Sequence, residues 1–358
     1  MINKIELENF RGFKKFNTEL APITIFGGKN NSGKTSVLEA LLFIYAHANP
    51  NCFFQMNFLR HMNDQPLMTA ERLWEPLFYN FNSEEKLRIA LHHNDGNKNQ
   101  LTLVKDGRIA SSDEKISLPN NLFLQTGGIP NNYPLYLEYQ SPNLEERGYY
   151  NISESGLSIN YTHKKELDKQ KLQMVLLFKS ETLFDANMLA QWFGNLVLND
   201  EKDMIIKALR IFEPTLKDVQ TIMKGAAGYL YAILEDGRKM PISYMGDGMN
   251  RLLNILLGII ANPGSIILLD EIENGFHYSM YQKMWGLLGY TAIEHGCQII
   301  ANTHSWDLLQ GAVDALRTSG HLEKMAYIRL DKRNENIKAH YFDSEMIEFA
   351  LNAEMEVR

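Results

Sequence analysis

The eight residues Gly28 to Thr35, GKNNSGKT, constrain this chain more than any other feature of its sequence. They satisfy G-x-x-x-x-G-K-[ST] in full. A short apolar run, Ile23–Phe26, stands before them. After them, Thr35 to His47 carries Val37, Leu38, Leu41, Leu42 and Tyr45 at the spacing of a buried helix. Strand, glycine-rich loop and helix in that order make a phosphate cradle. The glycines let the backbone wrap the phosphates closely, with successive N–H groups turned inward. Lys34 supplies a point charge to β- and γ-phosphates, and the Thr35 hydroxyl ligates magnesium. The helix adds its positive N-terminal end. Gly28, Lys29, Asn30, Asn31, Ser32, Gly33, Lys34 and Thr35, with Ser36 behind them, are therefore the expected binding site for ATP and Mg2+.

Three further segments fit that chemistry. In SIILLDEIENG, Ser265 to Gly275, an apolar run leads directly into two carboxylates. They should emerge at the C-terminal end of a buried strand, where open α/β sheets bind ligands. Asp270 is expected to hold the magnesium, directly or through water, and Glu271 to act as general base on the attacking water. Gln298–Ser305, QIIANTHS, is another apolar strand ending in a polar cluster, and its His304 is placed to reach the γ-phosphate or that water. In Ser243–Leu253, SYMGDGMNRLL, Gly246-Asp247-Gly248 opens an apolar helix, a second anion-binding helix terminus.

The rest of the chain supports one large or two ordinary domains, since 358 residues exceed what a single core usually fills. Its composition, 45% hydrophobic and 22% charged, is that of a folded protein. A formal net charge of −7 argues against a uniformly basic nucleic-acid binder but leaves room for one basic groove. Cys52 and Cys297 lack metal-ligand spacing and read as core thiols. The N-terminus has no apolar signal region. The longest apolar stretch, Leu252 to Leu269, is broken by Asn254, Asn262, Pro263 and Gly264, so it reads as a buried helix followed by a buried strand. A cytoplasmic protein without membrane contact is expected.

Asn94-Asp95-Gly96-Asn97 and Glu235-Asp236-Gly237-Arg238 each join two strand-like runs, a hairpin signal. Residues 106–134 read as loop, Tyr133–Tyr139 as a further strand, and Lys164 to about Leu209 as helical. From Asn250 onward helix and strand alternate, which predicts a mainly parallel sheet covered on both faces. The predicted fold is thus an α/β P-loop NTPase, with antiparallel N-terminal strands and an inserted helical region. Residues 1–50 and 215–358 form its nucleotide-binding core, and 51–214 an inserted subdomain that offers a partner or dimer surface.

Phosphate loop, glycine-opened helix, Asp-Glu strand and histidine together resemble the Walker A, signature, Walker B and switch elements of ABC-type ATPases. The opening IELENFRGFKKF is similar to the start of SMC, RecF and OLD (overcoming lysogenization defect) ATPases, which carry an N-F-R tripeptide ahead of Walker A. MGDGMNRLL and LLDEIENGFH, at Met245–Leu253 and Leu268–His277, resemble the OLD-like ATPases, many of them associated with phage defence. The resemblance covers roughly residues 1–45 and 240–310.

It implies that Arg11 approaches the bound nucleotide. It also implies that ATP draws two copies into a homodimer or higher homo-oligomer, each phosphate loop facing the other chain's Gly246–Gly248. Two departures stand out. Met245 takes the place of the signature serine, leaving Arg251 as the candidate replacement for its γ-phosphate contact, and no TOPRIM nuclease domain is expected after His304. Gln140 is the candidate Q-loop glutamine. The leading reading is therefore an ATP-hydrolysing head, one 358-residue unit, that regulates a separate effector or nuclease acting on nucleic acid. A near-inactive ATP-gated scaffold and a self-sufficient DNA clamp are the alternatives. A transporter subunit is disfavoured by the N-F-R opening, and a GTPase by the absence of N-K-x-D.

Overall fold

The computed structural model describes residues 1–53, 73–105, 133–153, 156–166, 173–179, 185–333 and 336–352. In chain order the strands are β1 (Ile2–Phe10), β2 (Phe13–Glu19), β3 (Ile23–Gly27), β4 (Leu87–His93), β5 (Lys98–Val104), β6 (Leu135–Gln140), β7 (Leu144–Ser153) and β8 (Gly156–Glu166). They continue with β9 (Val175–Phe178), β10 (Leu216–Lys224), β11 (Ala227–Leu234), β12 (Lys239–Pro241), β13 (Ile266–Leu269), β14 (Gln298–Asn302), β15 (Met325–Arg333) and β16 (Asn336–Phe342). The helices are α1 (Lys34–Ala46), α2 (Ala186–Leu198), α3 (Lys202–Leu209), α4 (Asp247–Ala261), α5 (Tyr281–Glu294), α6 (Trp306–Thr318) and α7 (Ser344–Asn352). The chain divides into two compact units. One comprises Met1–Leu20, Asn30–Leu172 and Leu330–His340; the other comprises Ala21–Lys29, Gln173–Arg329 and Tyr341–Arg358.

In the first unit seven antiparallel strands run in the order β2-β1-β4-β5-β6-β7-β8. β1 shows why this sheet forms: Ile2, Ile5 and Leu7 are buried, and polar residues fall between them. Helix α1 is anchored in this unit by an aromatic cluster. Phe53 meets Phe43, Trp74 and Tyr150 edge-on, with ring centroids 5.4, 6.0 and 4.7 Å apart.

Just past the end of α1, His47 sits in a buried polar network. Its Nδ1 faces the Ile44 carbonyl at 2.7 Å, and its Nε2 lies 2.8 Å from the Glu146 carboxylate. Lys164 Nζ reaches the other Glu146 oxygen at 2.7 Å. Burial works to raise the Glu146 pKa, yet His47 and Lys164 outweigh it and hold the carboxyl below its ordinary value. Removing one partner of a buried charge pair is costly, and the half-exposed Lys164 discounts that cost. Glu146→Gln is therefore expected to lower stability by roughly 2–3 kcal/mol in urea unfolding at neutral pH. A depressed carboxylate pKa stabilises the fold above its unfolded value of about 4.3 and ceases to as pH falls through the folded value. The gap between wild type and variant should accordingly narrow below that pH.

The second unit carries a sheet in which β3, β14, β13 and β9 run parallel, with β15 parallel to β3 on its other side. β3, β13 and β14 are buried along their whole length, as strands covered on both faces must be. Helix α4 is buried nearly all round, and its Gly258 passes so close to Phe178 that an added Cβ would lie 2.6 Å from that ring. A separate antiparallel sheet, β10-β11-β12, includes the expected hairpin around Gly237. The α/β class and the alternation after Asn250 appear as expected.

The helical reading of Lys164 to Leu209 needs correction. Residues up to Glu166 belong to strand β8, Val175–Phe178 is a strand of the parallel sheet, and among the described residues of this stretch helix is found from Ala186 on. Charges such as Lys164 and Lys165 line an exposed strand, and VLLF is short enough for either structure. The loop expected at 106–134 lies, up to residue 132, outside the described residues. Both cysteines are buried free thiols, and burial pushes the Cys52 thiol up to about 12. No helix among the described residues is long and apolar enough to cross a membrane.

Candidate functional site

Parallel pairing aligns the C-terminal ends of β3, β14, β13 and β9 at one edge of the second unit's sheet. Asn302 is in register with Phe26, Leu269 with Ala301, and Phe178 with Leu269. The segments expected to carry chemistry leave the sheet at that edge. β3 ends at Gly27 and runs into Gly28-Lys29, β13 into Asp270-Glu271, and β14 into Thr303-His304. Thr303 N donates to the Phe26 carbonyl at 3.0 Å, which ties the histidine segment to the strand feeding the phosphate loop.

The loop from Gly28 to Thr35 shows left-handed backbone at Gly28 (φ 127°), Asn31 (φ 60°) and Gly33 (φ 96°). Only glycine adopts the first and last easily, and asparagine is the side chain that best tolerates the middle one. A Cβ on Gly33 would also stand 2.7 Å from Phe13 Cζ. Helix α1 begins at Lys34, and the side chain of Lys34 is 5% exposed. The Ser32 hydroxyl is buried without a hydrogen-bond partner. A buried orphan of this kind calls for a ligand atom, and a phosphate oxygen meets the need. The loop therefore fits a nucleotide's phosphates.

Just past β13, Asp270 is 7% exposed. Asn302 Nδ2 donates to its Oδ1, and Lys179 Nζ lies 3.3 Å from its Oδ2. The same Asn302 accepts the Glu271 backbone N–H on its Oδ1 at 2.5 Å, so one side chain from β14 sets both acidic residues. Glu271 has a φ of 47°, a conformation that costs an ordinary residue about 1–2 kcal/mol. Such strain concentrates at working sites. The Glu271 side chain is exposed, and its Oε2 accepts from Asn274 Nδ2 at 2.8 Å. His304 is exposed too; its backbone N–H and the Thr303 hydroxyl both donate to Glu273, at 2.7 and 2.8 Å.

Gly246 caps α4 with a φ of 97°, and Asp247 stands exposed in its first turn. A Cβ on Gly248 would fall 2.4 Å from the Gly275 carbonyl, so the second glycine is required where the helix start meets the loop after Glu271. Arg251 lies on the same helix, α4. Its guanidinium is buried and donates to the carbonyls of Asp270, at 2.7 Å, and Asn274, at 2.9 Å. Burial pulls its pKa down, against Glu273, Asp270 and Glu271, which raise it. In this structure Arg251 braces the acidic loop of its own chain.

Arg11, at the left-handed turn between β1 and β2, is likewise buried. Its Nε lies 3.3 Å from Glu39 of α1, and its Nη1 donates to the Pro76 carbonyl at 2.8 Å. Gln140 ends β6 and donates to Glu138 at 3.3 Å. Beside Asp270, on the adjacent strand, stands Lys179. Lys179, Asn302, Glu273 and Asn274 were not singled out by motif. Asn302 lies inside the polar cluster that ends β14, while Lys179 follows β9, whose sequence reads equally as helix.

Among the described residues no group of three His, Cys, Asp or Glu is placed to hold a metal.

A parallel sheet with a phosphate loop after one strand and an acidic pair after another defines a P-loop NTPase. The comparisons refine that class. Residues 1–127 match the family described as AAA ATPase domain. Residues 194–309 match the family described as AAA domain, putative AbiEii toxin, Type IV TA system. A protein of Helicobacter pylori named ATP/GTP phosphatase is 24% identical over 389 aligned positions, covering 96% of this chain and 99% of its own length. Among solved structures, an SMC head bound to the C-winged helix domain of ScpA superposes with a TM-score of 0.52 at 13% identity, covering 98% of this chain and 99% of the other. The Smc head with an extended coiled coil, bound to the C-terminal domain of ScpA derived from Pyrococcus furiosus, gives 0.51 at 11%, covering 98% of each. The chain accordingly has a P-loop NTPase fold like that of SMC heads, and two of its segments resemble AAA ATPase domains.

Proposed function

We propose that the chain binds ATP with magnesium on Gly28–Thr35 and hydrolyses it, and that the hydrolysis resets a switch read by a second protein. The observation that carries this is the shared strand edge. There, Gly28-Lys29, Asp270-Glu271 and His304 follow neighbouring parallel strands, and Asn302 holds the two acidic residues together. Lys34 holds the β- and γ-phosphates, while Lys29, Asn30, Asn31, Ser32, Gly33 and Ser36 complete the cradle with Arg11 bracing α1. Thr35 and Asp270 hold magnesium, which when bound shields the phosphate charge. Glu271, exposed and aimed by its left-handed backbone, takes the proton of the attacking water. His304 contacts the γ-phosphate or that water. The name of the Helicobacter pylori relative supports hydrolysis.

The exposed Gly246-Asp247 helix start suits phosphate capture from a second copy, so ATP draws two chains into a homodimer or higher oligomer. The OLD-like wording of Met245–Leu253 and Leu268–His277 supports a cytoplasmic role in phage defence, acting through a separate effector or nuclease on DNA. The SMC heads that share this fold are themselves bound to ScpA domains, which supports the reading by a partner. By linkage, a partner whose affinity changes with ATP must change ATP affinity or dimerisation equally. Light scattering on protein purified from its own operon should show a larger, partner-containing assembly with ATP than without. A lone homodimer in both conditions, with DNA-stimulated hydrolysis, would replace the partner with a DNA clamp.

A further inference from the structure

We infer that Glu273 is a positioning residue, whose carboxylate clamps Thr303 and His304 to the acidic loop so that Glu271 and His304 work as one unit. The inference rests on the proposed reading of Glu271 and His304 as residues of the hydrolytic step. Both oxygens of the Glu273 carboxylate are engaged by successive residues past β14. The Thr303 hydroxyl donates to Oε2 at 2.8 Å, and the His304 N–H donates to Oε1 at 2.7 Å. A charged acceptor shortens and strengthens such bonds. A carboxylate is also an acceptor on both sides, whereas an amide would turn N–H donors toward one of these two donors.

The clamp extends a seam between the loops that leave β13 and β14. Asn302 donates to Asp270 through Nδ2, accepts the Glu271 N–H on Oδ1, and takes the Ile272 N–H on its carbonyl at 3.3 Å. Glu273 carries the seam two residues further, onto His304 itself. Between the two glutamates, Ile272 is fully buried and anchors the loop in the core. The buried Arg251 holds the carbonyls of Asp270 and Asn274, on either side of both glutamates, and Glu273 raises its pKa more than Asp270 or Glu271 does. The cation thus balances the clamp's charge while its bonds fix the loop that bears it. Base and histidine are in this way set by one short stretch of chain, and a shift of either would move the other.

The test is a double-mutant cycle on kcat for phosphate release by the full chain with ATP and magnesium. His304→Ala should lower kcat at least about tenfold. Glu273→Gln is isosteric, and should lower kcat roughly five- to tenfold while KM for ATP stays within about twofold. The two losses should not multiply. In the His304→Ala background, Glu273→Gln should cost less than about twofold more, because the group it positions has gone. Thr303→Val removes one donor to the same carboxylate and should show the same non-additivity. It carries the test if circular dichroism shows that Glu273→Gln does not fold. Wild-type kcat in Glu273→Gln, or losses that multiply, would overturn the clamp and leave His304 in its role. Wild-type kcat in His304→Ala would overturn the reading of His304 and the inference with it.

Discussion

Lys34→Ala is expected to bind ATP roughly 10²–10⁴-fold more weakly than wild type. Lys34 is the cationic side chain at the start of α1, and in the proposed site it holds two phosphates. Each charge-assisted hydrogen bond contributes about 1.5–3 kcal/mol, and a factor of ten in affinity is about 1.4 kcal/mol. Alanine is a good helix former, so α1 should persist and the melting temperature change little. Isothermal titration with ATP and magnesium checks the outcome. Wild-type affinity in this variant would remove the phosphate loop from the account.

Glu271→Gln should bind ATP normally and hydrolyse it at least ~10²-fold more slowly, the scale of a lost general base. Glutamine is isosteric and keeps an oxygen for Asn274 Nδ2, and the backbone N–H to Asn302 is untouched. The geometry of Asp270 should therefore survive, and the loss should fall on turnover rather than on binding. The variant should also accumulate as an ATP-bound dimer, visible by light scattering. Turnover at the wild-type rate would move the base elsewhere, with His304 the first residue to substitute.

The parts of the site legible in the sequence are those whose signal is local. A phosphate loop needs its glycines and lysine within eight residues. β3, β13 and β14 are buried on both faces, so they appear as unbroken apolar runs that end in polar clusters. What the sequence hid depends on partners far along the chain. Lys179 gains its meaning only when β9 pairs with β13, and VLLF before it carries no period that separates strand from helix.

The backbone contacts of Arg251 were hidden for a different reason. On a helix that reads LLNILLGII, nearly every face is covered, so its arginine is enclosed as well and turns to backbone carbonyls. Strands β7 and β8 escaped notice because their polar residues pair across the sheet. Arg147 meets Glu138 and Lys164 meets Glu146, an arrangement with no apolar alternation to read. Arg11 was found by resemblance, yet its buried ion pair with Glu39 depends on the fold bringing a hairpin turn onto α1.

Steady-state phosphate release from the purified wild-type chain, with ATP and with or without magnesium, tests the central claim most directly. The account predicts turnover that requires magnesium and is lost on chelation, in Lys34→Ala and in Glu271→Gln. No phosphate release from the wild type, or release that persists undiminished in Glu271→Gln, would contradict it.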